Sequence, residues 1–480
     1  MLPDDHSPRG KLGQLIALSG LVIYVLFAPH SVAASSIGVG IAVLGWLFRT
    51  FSTGSLGLRR SKFDLIIVLS LLWTFVSALL SEEPRVSIAK LQASWCVLLF
   101  YLARATLNRR SILVLISLLI LSGSAGALYS VFDLLRGRGV VVESIAVDSP
   151  FQQVGIRPGD TIWQVNRGRV YSATDLDRKL SQTPPNAPIT VGIISQGEQI
   201  ERSLTLTQPS ASRVIGSKRN HRFRASGWTR HYQTFAELMQ MIAQLALGLA
   251  LAHLGNHGAN KYFRVAIVAA ALLAAGLVFT AMRTVIVAFL IGAAVIALRS
   301  LHATLRVVFT FALFFVLAFA AVVVWQTRDR NALLLGDPSS SLRLQVARVG
   351  LSRIPIHPVF GHGMDAMKLH WNEWGFPGKD MLHLHSTPLQ MAFDRGLPML
   401  ALWMWLMIAF WLTIARAERG LADLRDTHSY GILLGTLGAL TSFLLSSLVN
   451  YNYGDAEVAM MFWFLTGMAT STDYTDSGSV

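Results

Sequence analysis

The chain is a succession of long apolar runs joined by short basic turns and broken twice by long polar stretches. A helix needs about 20 mostly apolar residues to cross a bilayer. Twelve runs reach or approach that length: 12–27, 32–48, 63–80, 86–107 and 112–135, then 235–254, 262–281, 284–298, 305–325, 397–415, 430–449 and 456–469. The pattern predicts an all-α polytopic membrane protein of about twelve transmembrane helices. Basic residues gather on alternate turns: Arg49, Arg59, Arg60 and Lys62; Arg104, Arg109 and Arg110; Lys261 and Arg264; Arg299 and Arg306; Arg416, Arg419 and Arg425. The opposite turns hold little but Arg85 and Arg283. By the positive-inside rule both termini are cytoplasmic, and the two polar stretches lie on the far side.

Composition agrees with the pattern. A chain of 480 residues that is 53% hydrophobic, 14% charged and of mean hydropathy +0.49 is too apolar for a soluble protein of several domains. The formal charge of +14 suits nucleic acid. In a membrane chain, however, basic residues collect in cytoplasmic loops and beside anionic substrates, so no nucleic-acid partner is expected. A single cysteine, Cys96, lies inside an apolar run, which rules out an internal disulfide or a cysteine-based metal site and leaves it as a small buried hydrophobe. The first run has no A-x-A-like exit and is followed at once by a second, so no cleavable signal peptide is expected. The expected order is helices one to five at 1–135, a folded polar domain at 136–208, a basic linker at 209–233, helices six to nine at 234–325, a polar loop at 326–396, and three helices with a cytoplasmic tail at 397–480.

The first polar stretch reads as a small α+β unit. A β-branched strand at 140–145 leads to Ser149-Pro150, a short helix and the turn Arg157-Pro158-Gly159-Asp160. A strand at 161–165, a helix at 173–180 and two strands paired across Gln196-Gly197 follow. The combination GVVV, SPFQQVGIRPGDTIWQVN, DL and L resembles a PDZ domain of the bacterial periplasmic protease type. PDZ domains bind extended C-terminal peptides by strand addition. On that resemblance Gly139, Val140 and Val141 supply the carboxylate-holding amides, and Leu176 and Leu180 line the side-chain pocket, for a partner protein's C-terminus. A spacer or scaffold role stands equally beside this, because Arg136-Gly137-Arg138 replaces the upstream strand. The basic stretch after it, RFRASGWTRHYQTFAELMQ, is either a solvated linker or a head-group contact, with Arg224 and His231 as candidate substrate-binding residues.

The second polar stretch, from Asp337 to Pro398, is far longer than an ordinary connection and rich in His, Trp, Pro and Gly, which argues for a folded, functional cap. Its opening, SLRLQVARVGLSRIP, reads as a helix capped by Ser340 or Ser341 with Leu342, Val346 and Val349 on one face. Arg343 leads that helix and is the candidate second phosphate contact, with Arg353 a further substrate-binding candidate. Arg283 stands between two apolar runs with no acidic residue nearby in sequence. An arginine near the membrane calls for an anionic partner, and its planar fork suits a phosphate oxygen pair. A snorkelling interfacial arginine is the plain alternative. Five histidines fall in the loop, His357, His362, His370, His383 and His385. One could serve as a general base near neutral pH. The His383-Leu384-His385 spacing could chelate a metal, but no carboxylate or cysteine pattern completes a site, and the rest read as structural. No metal or other cofactor is expected.

Four elements in order, HYQTFAELM, FTAMRTVIVAFL, SLRLQVARVGLSRIPIHPVFGHGM and HLHSTPLQMAFDRGLPMLALW, resemble the O-antigen ligase and polymerase family. The resemblance implies a GT-C-like helical glycosyltransferase of the bacterial inner membrane. It would transfer a glycan from undecaprenyl diphosphate, with inversion and without metal, to an acceptor hydroxyl, lipid A-core being the first choice. It maps Arg283 and Arg343 onto the family's diphosphate-binding arginines and His385 onto its base, with His383 beside it. Met399 follows Gly-Leu-Pro where the family often has a small residue or Tyr. A repeat-unit polymerase or a protein O-oligosaccharyltransferase are the alternatives within this chemistry. A non-catalytic scaffold or transporter recruiting envelope proteins through the PDZ domain is the alternative outside it, although no internal repeat relates the two halves.

Overall fold

The computed structural model describes residues 7–58, 60–145, 149–166, 168–195, 198–205, 214–216, 218–221, 223–304, 306, 338–378, 383–422 and 426–471. The expected crossing at 305–325, the start of the loop at 326–337 and the turn Gln196-Gly197 lie outside these residues. In chain order the first helices are α1 (Pro8–Phe27), α2 (Val32–Thr53), α3 (Asp64–Leu80), α4 (Pro84–Lys90), α5 (Leu98–Thr106) and α6 (Arg109–Arg136). Strands β1 (Val140–Val141) and β2 (Ser144–Ile145), helix α7 (Pro150–Gln153), β3 (Thr161–Val165), β4 (Gly168–Arg169), α8 (Ala173–Ser181), β5 (Pro188–Ser195), β6 (Glu198–Thr205) and β7 (Val214–Ile215) follow. The remainder is α9 (Tyr232–His257), α10 (Lys261–Phe279), α11 (Arg283–Ser300), α12 (Pro338–Arg353), α13 (Ala366–Leu369), α14 (Thr387–Ala422), α15 (Thr427–Ser447) and α16 (Ala456–Ala469).

Among the described residues nine helices are long and apolar enough to cross a membrane, and α3 and α16 are shorter apolar helices. The chain is thus a multi-pass, mainly helical membrane protein with a small β unit. Three boundaries differ from those expected. The run at 86–107 is not one α-helix, because Leu91–Val97 winds as a tighter 3-10 stretch between α4 and α5. The run at 397–415 begins already at Thr387, inside the expected loop, and is bent where Gly396 takes φ 80° just before Pro398. A side chain at Gly396 would collide with the Val359 carbonyl, so the bend follows from backbone packed on backbone. The loop helix α12 starts at Pro338, ahead of the serines expected to cap it.

The chain forms two compact units, one of Met1–Ala127, Trp228–Val278 and Met282–Val480, the other of Leu128–Gly227 with Phe279–Ala281. In the larger unit α9 is apolar on nearly every side and correspondingly buried along its whole membrane length. It packs on α15 and α11, where Gly248, Gly431 and Gly435 let backbones touch. The α1–α2 hairpin closes in the same way through Gly20, Gly38 and Gly45, the small-residue packing that brings helices together in lipid.

The smaller unit holds the sheet β1-β3-β5-β6, all antiparallel, with β4 on β3. Its core is Val140, Val142, Phe151, Ile162, Val191 and neighbouring apolar side chains. Leu176 and Leu180 point into this core, 2% and 1% exposed, rather than lining an open pocket. The amides expected to hold a carboxylate are also engaged: Gly139 N donates to Val170 O at 3.0 Å, and Val141 N to Lys218 O at 2.9 Å. Val140 pairs with Ile162 across β1 and β3. The free side of this strand is taken by the chain's own downstream segment, which sequence reading left as linker. There β7 pairs antiparallel with β2, and Arg138 and Asn220 exchange backbone hydrogen bonds. Arg138 itself is buried, in an ion pair with Asp133 and against the Phe223 ring, which anchors the strand's start. A Cβ at Gly216 would lie 2.2 Å from Val141 O. Gly216→Val should therefore pull this segment off the strand and speed amide exchange at Val141, read by hydrogen–deuterium exchange mass spectrometry, while Ile193 in the central strand stays protected.

Candidate active site

The site is assembled around a carboxylate in an apolar helix. Glu237 on α9 is 1% exposed. Burying a carboxylate this deeply requires donors on its free lone pairs. Gln240 Nε2 donates at 2.5 Å, Ser446 Oγ at 2.9 Å, and Asn450 Nδ2 and Asn452 Nδ2 each at 3.4 Å. Asn450 in turn donates to Thr284 Oγ1 at 3.2 Å, and its carbonyl accepts from Thr387 N at 3.1 Å. Thr387 Oγ1 also donates to Asn452 Oδ1 at 3.0 Å. The residue after Arg283 and the residue two after His385 are thus both fastened to the turn between α15 and α16. Sequence reasoning missed this hub. The signal was the polar stripe Glu237, Gln240, Gln244 at helical spacing in an otherwise apolar run.

His385 sits where that framework meets α12. Its backbone is left-handed, φ 52°, which is uncommon for a residue with a side chain and persists only where the surroundings enforce it. Its ring nitrogens are buried, and among the described residues neither Nδ1 nor Nε2 has a hydrogen-bond partner. The His383 ring lies 4.1 Å away, centroid to centroid, and Tyr451 packs on the far side of His383 at 5.6 Å. Burial, then the charges of His383 and Arg343, push the His385 imidazole down to about 2. Burial, then Arg343, Lys368 and His231, hold His383 at about 4. Both are therefore neutral at physiological pH. Leu384, between them, packs against Gly350 of α12, so the helix that carries Arg343 is seated on the His-Leu-His segment.

The expected residues divide accordingly. His385, His383, Arg343 and His231 come together electrostatically, and His231 also caps α9, its Nδ1 accepting from Gln233 N at 3.2 Å. Arg283 opens α11 beside Thr284. Arg353 is not gathered in: its guanidinium lies over the Trp374 ring at 4.9 Å, and its Nε donates to Trp374 O at 3.4 Å, a contact that shapes the loop. Arg224 belongs to the smaller unit, half-buried.

A cavity of about 200 Å³ adjoins the histidines through Tyr451, which lines it. Its walls include Leu71 of α3, the 3-10 stretch around Trp95, Trp403 and Leu406 of α14, and the polar groups Lys90, Asp394 and Arg395. Among the described residues Arg395 Nε is buried without a hydrogen-bond partner, and its terminal nitrogens lie 2.8 and 3.0 Å from the sulfurs of Met391 and Met364. Lys90, Asp365, Asp394 and Arg395 thus give the apolar hollow charges of both signs.

Two outcomes follow from this geometry. Glu237→Leu leaves several buried donors unsatisfied, each costing on the order of 1–3 kcal/mol, and should lower the thermal midpoint of the detergent-purified protein, with Glu237→Gln intermediate. In the unfolded chain His383 and His385 take up protons near 6.5, whereas folded they stay neutral down to about 4 and about 2. The unfolded state binds more protons below 6.5, so stability present at neutral pH is lost as pH falls from 6.5 towards 4, at up to about 1.4 kcal/mol per pH unit for each imidazole. Thermal unfolding between pH 7 and 5 should show a shallower loss in His383→Gln/His385→Gln than in wild type.

Comparison with known proteins bears on what this constellation is. Residues 268–404 match the O-antigen ligase family, and residues 121–206 match the PDZ domain. No curated protein matches the chain. The first match takes in Arg283, Arg343, His383 and His385 together with the bend at Gly396. The chain is therefore a polytopic membrane protein that carries an O-antigen ligase domain preceded by a PDZ domain.

Proposed function

We propose that this protein is an O-antigen ligase-like glycosyltransferase of the bacterial inner membrane that moves a glycan from undecaprenyl diphosphate onto an acceptor hydroxyl, lipid A-core first among acceptors. Both termini are cytoplasmic, and the PDZ domain and the loop face the periplasm. The observation that carries this reading is the imidazole of His385, its buried nitrogens without a hydrogen-bond partner among the described residues, held on a left-handed backbone beside Arg343 within the ligase match. A neutral imidazole nitrogen has a lone pair for the acceptor proton. As the acceptor oxygen bonds to the sugar C1 from the face opposite the diphosphate, its proton passes to His385, the C1–O bond to the diphosphate breaks, and configuration inverts. Negative charge then grows on the leaving oxygens, where Arg343 and Arg283 stabilise it.

Burial first, then the charges of His383 and Arg343, depress the basicity of His385; a dianionic diphosphate against the Arg343 guanidinium offsets that last part and raises the imidazole's affinity for a proton. The base is then strengthened by the donor it serves. The adjoining cavity is largely apolar, with Lys90, Asp365, Asp394 and Arg395 as its charged groups, and its apolar wall suits the lipid part of that donor.

In proteoliposomes supplied with donor lipid and acceptor, His385→Ala should lower turnover by about 10²–10⁴ with donor binding retained, and Arg343→Lys should weaken donor binding. Unchanged turnover in His385→Ala would remove the base assignment. In cells lacking the protein, gels should show loss of the high-mass lipopolysaccharide ladder with lipid-linked polymer accumulating. Single-repeat capping would instead indicate a polymerase, and an intact ladder with altered glycoproteins a protein-modifying enzyme.

A further inference from the structure

Away from His385, three side chains from two distant segments converge on one point. Glu82 lies in the turn between α3 and α4, and His357 and His362 lie in the loop after α12. Their ligand-capable atoms all fall within 4.8 Å of one another. Glu82 Oε2 is 2.6 Å from His362 Nδ1 and 3.6 Å from His357 Nε2, and the two imidazoles meet edge to face at 4.8 Å.

The hydrogen bonding fixes what each atom offers. His362 Nε2 is 3.0 Å from the Arg353 carbonyl, which can only accept, so Nε2 carries the proton. In the neutral ring Nδ1 is then a bare lone pair 2.6 Å from a carboxylate oxygen, two acceptors in contact, so that either a proton or a metal ion joins them. A proton would satisfy that single pair. His357 Nε2, 3.6 Å from the same oxygen, lies beyond a hydrogen bond but within reach of a shared ion. A divalent metal ion satisfies all three ligands at once.

We infer that Glu82, His357 and His362 form a binding site for a divalent transition-metal cation of the zinc class. Two imidazoles and one carboxylate are a donor set that zinc takes, with the fourth position left to water. Magnesium or calcium would call for mostly oxygen ligands. The Nε2–H bond to the Arg353 carbonyl is the outer contact that orients a metal-binding histidine. His362 is 1% exposed and forms the floor, while Glu82 and His357 are partly open to solvent and give the ion its way in. The two segments already touch where Glu83 N donates to His362 O at 3.3 Å. The ion thus pins the turn after α3 to the C-terminal end of α12, the helix whose other end carries Arg343. This site is a structural clasp separate from the transfer chemistry, and it stands or falls independently of that proposal.

The test uses full-length protein purified through a tag without histidines, stripped with chelator, incubated with zinc and desalted. Elemental analysis should find one zinc per chain in wild type and in His221→Gln, a control in the smaller unit, and none in His357→Gln or Glu82→Gln. Zinc should raise the thermal midpoint of wild type by several degrees and leave that of His357→Gln unmoved. His357 is about two-fifths exposed, so its variant keeps the fold. No retained zinc in wild type, or equal zinc in the variants, would overturn the site and leave a proton-bridged Glu82–His362 pair.

Discussion

The arrangement depends on one carboxylate being kept inside a membrane-length helix. The Glu237 carboxyl is met by amide and hydroxyl donors from α9 itself, α15 and the turn before α16. Each donor is committed to a position by that demand, and the turn so fixed holds Thr284 and Thr387. The segments at 283 and 383–387 are therefore located by hydrogen bonds to a buried polar centre, while apolar packing fixes the helices around it. A polar network at low dielectric rewards complete satisfaction and punishes any gap, which makes it a stiffer locator than apolar contact.

His385 shows the other side of that rigidity. A left-handed backbone and an imidazole with no hydrogen-bond partner are both unfavourable, and they persist because Leu384 is packed under α12 and Thr387 is tied to Asn450. Stability provided by the surroundings is what holds this residue in a conformation it would not choose alone.

How much of this was legible in the sequence depended on the range of the cause. Membrane runs are local in composition, and eleven of the twelve fall on apolar helices among the described residues. The bends were not legible: Leu91–Val97 and the turn at Gly396 answer to neighbours far along the chain, such as the Val359 carbonyl. The O-antigen ligase and PDZ resemblances were readable because their motifs are linear, and both matched. The contact of Arg353 with Trp374 was not legible, because a basic residue on a loop helix looks the same whether it faces a phosphate or a tryptophan ring. The carboxylate absent from the histidine pattern was missed because Glu82 is 280 residues from His362.

The short strand β7 has a further consequence. A strand with one side unpaired is a template on which another molecule's strand can grow, and natural sheets guard such borders with charge, bulges or cover. Here the cover is supplied by the connection that leads back to α9, so the small unit presents no bare border at 138–145. A membrane protein confined with its copies to two dimensions meets them often, and covering this border leaves one template fewer for pairing through its β unit.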